Sequence, residues 1–435
     1  MTPHTPQAPG TPGPAEAPEA SDTREAADAP GAPDRIVVVG ASLAGLRAAQ
    51  ALREAGHHGP LTLIGAEPHA PYDRPPLSKE LLQGHTTPAG LALEDTAPLA
   101  LNEYYGRRAV HLDTATRLVH LDDDTAHPYD ALVIATGATA RTWPGPLPAR
   151  GVHTLRTLDD ARALKADLDP ATPRHLMIAG GGFIGCEIAS VARELGHTVT
   201  LVTPEPLALH SAVGPEAAAF LTRLHQDAGV EILTGHTVTA LTGTDRPTHA
   251  TLTGPDGTRT LSTDTVLLAL GALPHTDWLA TSGLRLDGGL VTDAYTRVLD
   301  VHGRPQPRIT AAGDITRFPH PHTPDLVNLG HWSNAAEQAR AAAHNLLHPH
   351  TPVPYHPVAS FWSTQYGVRL RAVGLPRYAD RTEVRELDPE RRRLDVAYYR
   401  DDRLIGALTA NRAARITAYQ AQLADDISRT TLTPA

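Results

Sequence analysis

The chain has 435 residues, enough for about two or three domains and a large buried core. Its 41% hydrophobic content is ordinary for a globular protein, and its net charge of -10 argues against nucleic acid, which calls for a basic surface. The single cysteine, Cys186, excludes an intramolecular disulfide, a redox dithiol and a metal cluster held by several cysteines, and points to a cytoplasmic setting.

Residues 1–33 form a Pro/Ala/Glu-rich stretch with little to bury, expected to be a disordered tail. It has no apolar core of a signal peptide, and no run in the chain approaches the roughly 18 to 20 apolar residues of a membrane span. Ordered structure is expected from Asp34. "RIVVVG" reads as a buried strand, Leu43 to Ala55 as a helix broken by "GHHG", and "LTLIG" from Leu61 as the next strand. A second unit repeats the plan: "HLMIAG" from His175, a helix from Phe183 to Leu195, a break at Gly196, and "TVTLV" from Thr198. Each is a βαβ unit, whose parallel strands need a crossover helix.

Between the units, "YDALVIATGATAR" reads as a strand ending on Thr136-Gly137, and "TVLLALGALPHT" gives a similar exit at Gly271. "RITAAGDITRF" ends another strand on Gly313-Asp314. Beyond about Leu347, alternating segments such as "FWSTQYGVRLRAVG" and "RRLDVAYYR" predict an antiparallel sheet with a closing helix from Arg412 to Ile427. The fold class is therefore α/β, with two Rossmann-like dinucleotide-binding domains and a C-terminal α+β domain.

In the first turn, Gly40 permits the tight bend, Gly45 lets helix approach strand, and the middle position, Ser42, lets backbone amides reach a pyrophosphate. The helix N-terminus adds the positive end of its dipole, and Glu67 follows the second strand where a carboxylate binds ribose hydroxyls. The second turn is Gly180, Gly182 and Gly185, with Glu187 in the first helical turn. Here the acid expected after the next strand is replaced by Thr203, and Glu205 lies two residues on. The loop "TPEPLALHS" holds neither Lys nor Arg, which favours NAD over NADP. Two turns imply two nucleotides, and a hydride donor with a flavin is the natural pair.

These residues carry a resemblance. "GASLAGLRAAQALR", "PYDRPPLSK", "ATGATAR", "LRTLDDA", "GGGFIGCE", "AAGD", "HWSNAAEQA" and "FWSTQY" occur in order from about Asp34 to the end. In these the chain resembles FAD-dependent NAD(P)H:ferredoxin reductases of the putidaredoxin reductase and rhodocoxin reductase type. The resemblance implies an FAD domain in two parts (34–145 and 271–346), an inserted NAD domain (146–270) and a C-terminal reductase domain (347–435). It implies that Gly40, Ala44 and Gly45 lie against the FAD pyrophosphate with Arg141, and Glu67 on the adenosine ribose. Arg74, Lys79 and Trp332 are implied near the flavin, Asp314 on the ribityl chain, and Phe183 and Ile184 beside the NAD turn. No residue is expected to act as acid or base.

The resemblance also implies NAD(P)H as donor, of which the loop after Thr203 favours NADH over NADPH, and as partner a 2Fe-2S or other small ferredoxin feeding a cytochrome P450 or another oxygenase. Departures are Gly330 where the family usually has Glu, Thr364 where it usually has Asp, a short "YYGRRAVHLD", and Thr203. They fall around the expected flavin and nicotinamide environment. "DRPPLSKELL" has no cysteine where disulfide, peroxide or CoA reductases need one, so Cys186 reads as a packing residue. A basic docking face for an acidic ferredoxin is expected among Arg369, Arg371, Arg377, Arg391, Arg392 and Arg393, although interleaved acids also fit a solvated surface. "GHHG", "FPHPHTP" and "LHPHT" lack zinc-ligand spacing, so no metal is expected. Two rival functions remain: a flavoenzyme acting directly on a small molecule or O2, and a nucleotide-sensing flavoprotein of the apoptosis-inducing-factor type.

Overall fold

The computed structural model describes residues 1–2 and 33–432. The tail expected to be disordered lies, but for its ends, outside the described residues. "RIVVVG" forms the strand Ile36–Val39, wholly buried and flanked by parallel partners Leu61–Gly65 and Ala131–Ile134. A strand enclosed on both faces must be apolar throughout, and this one is. The sheet runs Arg297–Leu299, Pro305–Ala311, Ala131–Ile134, Ile36–Val39, Leu61–Gly65, Asn102–Tyr105. It thus takes strands from both ends of the chain segment that contains the second unit.

That second unit forms its own five-stranded parallel sheet, ordered Glu231–Thr234, Thr198–Thr203, His175–Ala179, Thr265–Leu268, Val152–His153. It is inserted into the first. The two connections run side by side, Ala138–Ala140 antiparallel to Ala272–Pro274. The C-terminal sheet is antiparallel, ordered Ser360–Gln365, Val368–Gly374, Arg403–Ala410, Arg393–Arg400, Arg381–Asp388. It is closed by the helix Ala413–Leu432, longer than the sequence pattern indicates. The α/β class with two nucleotide-binding sheets and an antiparallel third is as the sequence predicts.

Several elements escape the sequence reading. The helix Trp332–Leu347 packs on the helix Leu43–Glu54 through Ala339, Ala342 and Ala343, and its alanine-rich face has weak periodic contrast. The helix His210–Asp227 is interrupted at Gly214 and Pro215, which hide its period.

Buried histidines stitch the layers. His225, on the second unit, faces the C-terminal sheet: its Nε2 lies 2.9 Å from Gln365 Oε1 and its Nδ1 3.0 Å from the Tyr366 hydroxyl. His320 lies 3.0 Å through Nε2 from the Pro357 carbonyl, while its Nδ1 accepts from the His322 amide. Each ring is satisfied as the neutral form, and burial holds both down from 6.5 to about 4. The unfolded chain takes protons near 6.5 and the folded chain only near 4, so this stability is present above 6.5 and is lost as pH falls toward 4. We expect thermal melting to drop across that window, and His225→Gln to make the drop shallower. An equally steep profile in the variant would contradict the assignment.

Candidate functional site

Both phosphate turns are built by the same backbone geometry. Gly40 and Gly180 each have φ +117°, and a Cβ on either would lie 2.1 Å from a carbonyl oxygen, of Ala135 and Ala269 respectively. At Gly45 a Cβ would lie 1.8 Å from the Gly40 oxygen, and at Gly185 it would lie 2.2 Å from the Gly180 oxygen. Only glycine lets the two chains cross so closely. Gly182 has open space around it, and neither Ser42 nor Gly182 caps its helix through a side chain. The first-turn amides therefore stay free for an anion, as such a turn requires.

The first turn opens on a cleft of about 390 Å³, within the ordinary range of cofactor sites. Gly40, Ser42 and Ala44 line it, with Glu67, Arg74, Lys79, Thr136, Gly137, Gly313, Asp314 and Trp332. A Cβ on Gly313 would come 3.2 Å from Ala44, so the wall depends on its absence. Phe183, Ile184 and Glu187, from the head of the second unit's helix, form part of the same wall.

The polar groups in the cleft hold one another in place. Arg74 donates to Glu67 Oε1 (2.6 Å), to Ser42 Oγ (3.1 Å), to the Tyr72 hydroxyl (3.1 Å) and to the Arg156 carbonyl (2.6 Å). Tyr72 donates to Glu67 at 2.5 Å, and burial lifts its hydroxyl pKa so that it keeps its proton. Arg156 donates to Asp314 at 2.7 Å and to the Ala138 carbonyl at 2.9 Å. Lys79 Nζ lies 2.6 Å from Glu187 Oε2, which also accepts from Ser78 Oγ at 2.5 Å, while Glu187 Oε1 accepts from Ser363 Oγ at 2.7 Å. Trp332 donates through Nε1 to Asp73 at 2.7 Å, and its ring meets Trp362 edge-on at 6.0 Å. His331 lies against Phe361 with Nδ1 enclosed and unpartnered, and desolvation lowers it to about 4.

The structure relocates several residues singled out in the sequence. Arg141 is exposed and does not line the cleft: it follows the strand Ala138–Ala140, which leads away toward the second unit, and its amide donates to Gly271. Arg156, from "LRTLDDA", stands in the cleft instead. Gly271 is likewise exposed and outside it. Glu187 belongs to this cleft rather than to its helix terminus alone. Thr203 is 2% exposed and packs against Gly181, where a Cβ would meet it at 3.0 Å. Glu205 turns its carboxylate to the Ser211 amide and hydroxyl. Gly330 lines the cleft, whereas Thr364 is exposed opposite Arg369, away from it. Cys186 is fully buried and desolvation raises its pKa, so the thiol is inert packing. Sequence reasoning missed Arg156, Tyr72, Ser78 and Ser363. All four stand inside quoted motifs, but their contacts span as many as 176 residues of chain.

This cleft suits FAD: it offers free helix-head amides, two arginines, glycines that keep its wall thin, and aromatic rings in its lining. The family model described as pyridine nucleotide-disulphide oxidoreductase matches residues 34–339, and a reductase C-terminal model matches 360–432. The chain belongs to the pyridine nucleotide-disulphide oxidoreductase family. Unlike the family's name, it has one cysteine and no redox disulfide. Within the family it is 35% identical to rhodocoxin reductase of Rhodococcus erythropolis, covering 80% of each chain. It is also 35% identical to the ferredoxin–NAD(+) reductase component of an anthranilate 1,2-dioxygenase system of Burkholderia cepacia, covering 87% of this chain and 91% of that one. Among solved structures, the putidaredoxin reductase–putidaredoxin complex superposes with a TM-score of 0.82 at 31% identity, over 91% of this chain and 94% of that one.

The Lys79–Glu187 pair yields a stability test. Lys79→Met strands a buried carboxylate and is expected to cost about 3 kcal/mol in denaturant unfolding. Adding Glu187→Leu to it recovers most of that loss. A double variant no better than the single one would show that the pair is not the source.

Proposed function

We propose that this protein is a flavoprotein reductase that takes electrons from NAD(P)H and delivers them to a ferredoxin serving an oxygenase. The observation that carries this reading is that one cleft is walled by both nucleotide units, the first through Gly40 to Ala44 and the second through Phe183, Ile184 and Glu187. Bound FAD supplies the chemistry, accepting a hydride as two electrons and releasing electrons singly.

The chain's own residues hold and orient. The helix head at Leu43 and the cations Arg74 and Arg156 take the pyrophosphate, and Asp314 is fixed by Arg156 to meet a sugar hydroxyl. Lys79 keeps a positive charge at the cleft, and Glu187 anchors it in one place. Phe183 and Phe361, 5.0 Å apart and edge to face, exclude water from the approach between the two units. No residue has to act as nucleophile, which agrees with a buried Cys186.

NADH is the preferred donor in this reading. The loop after Thr203 offers Glu205 and no cation, which opposes a 2′-phosphate. The acceptor approaches at Trp362, 45% exposed beside the cleft, where Arg371 stands as its cross-strand neighbour. Of the other arginines singled out in the sequence, Arg391 pairs with Asp388 and Arg392 donates to the Tyr366 carbonyl. These two therefore contribute less to an open positive face.

The test is cytochrome c reduction by NADH with and without added ferredoxin. The expected rate depends on ferredoxin, and a rate independent of it would favour direct reduction of a small molecule and sink this reading. In the same assay Arg371→Glu should lower kcat/KM for ferredoxin about tenfold at low salt and flatten its salt dependence. An unchanged salt profile would remove Arg371 from the docking face.

A further inference from the structure

We propose that the C-terminal domain carries an oxyanion-binding site at the head of its closing helix. A hollow there is lined by Arg369, Arg371, Thr409, Asn411 and Arg412. Arg369 and Arg371 alternate along the strand Val368–Gly374 and so leave it on one face. Both are exposed, and among the described residues neither has an ion-pair partner. Their cross-strand neighbours are Thr364 for Arg369, and Trp362 and Thr409 for Arg371, none of them acidic.

The other charge in the lining is paired. Arg412 is held through both ends of its fork by Glu386. Asp395, opposite Thr409, is fully buried, and its carboxylate accepts from Arg415 at 2.7 Å and from the Tyr419 hydroxyl at 2.8 Å. The hollow keeps the charge of two free guanidinium groups.

Thr409 is the independent sign of a ligand. It is 1% exposed and lines the hollow, yet its Oγ1 has no hydrogen-bond partner. A buried hydroxyl left unpaired is costly, and a bound oxygen would satisfy it. The helix Ala413–Leu432 begins at the same point with no acid in its first turn. The Asn411 side chain is spent on its neighbours, accepting from the Arg369 amide and donating to the Arg392 carbonyl, so the first amides have no side-chain cap from it. Two forked cations, a buried hydroxyl and a helix head together recognise a phosphate or a carboxylate.

That oxyanion has two sources: a free phosphate, or a carboxylate on the acidic acceptor protein, since Arg371 borders Trp362. The second source rests on the redox reading above, whereas the site itself does not. The probe is inorganic phosphate, titrated calorimetrically into the full FAD-loaded chain at constant ionic strength set by chloride. We expect one saturable site per chain, weakened about tenfold in Arg369→Gln and in Thr409→Val. Flavin absorbance and melting temperature serve as folding controls. If Arg369→Gln fails to fold, Arg369→Lys keeps the charge without the fork and is expected to bind phosphate measurably more weakly. Absence of saturable binding, or equal binding in folded variants, would overturn the proposal. Phosphate that competes with ferredoxin in the native chain but not in Arg369→Gln assigns the acceptor's carboxylate. Binding without such competition assigns a free oxyanion, and either result upholds the site. Failure of ferredoxin reduction altogether would end the redox reading while leaving phosphate binding as its own measurement.

Discussion

A carboxylate that is 4% exposed needs compensation from its surroundings, and Glu187 draws that compensation from two other segments far away in the chain. It stands on the head of the second unit's helix. Its partners are Ser78 and Lys79 from the first unit and Ser363 from the C-terminal sheet. Sliding any one segment would strand a buried charge, so the three parts are held in one relation. The cleft between the nucleotide units has its shape because this contact closes one wall of it. A second contact of the same kind, from Arg74 to Glu67, Ser42 and the Arg156 carbonyl, fixes the lining beside the first turn.

Within that frame the two phosphate turns do the same thing twice. In each, a glycine at φ +117° crosses under a neighbouring strand, and a second glycine lets the helix approach within a distance no Cβ could tolerate. The difference lies in what surrounds them. The first turn opens on a cleft lined by Arg74, Arg156 and Trp332, which suits a cofactor that stays. Above the second turn, Gly182 faces open space, which suits one that comes and goes. Duplication of the backbone with divergence of the walls explains why one chain carries two such turns.

The parallel sheets, both turns and the antiparallel C-terminal sheet were legible in the sequence, because buried β-branched runs and glycine spacing are local signals. Glu67, Arg74, Lys79, Asp314 and Trp332 were legible through motif context and do line the cleft. Arg141 was not, since its position depends on where the connecting strand Ala138–Ala140 leads, and pairing with Ala272–Pro274 carries it away. The role of Glu187 was also hidden: at its own helix head it looks like a dipole partner, and only tertiary packing brings Lys79 and Ser363 to it. Thr203 marks a missing acid in sequence but is a buried packing residue in space, while Glu205, two residues on, turns its carboxylate to Ser211.

The central claim is that this cleft holds FAD and that NADH reaches it from the second unit. Anaerobic stopped-flow mixing of the purified protein with NADH, and separately with NADPH, tests it most directly. The account predicts a yellow protein with one FAD per chain, whose visible flavin absorbance bleaches with one equivalent of NADH and more slowly with NADPH. A colourless protein that cannot take up FAD, or a flavin that neither nucleotide reduces, would contradict it.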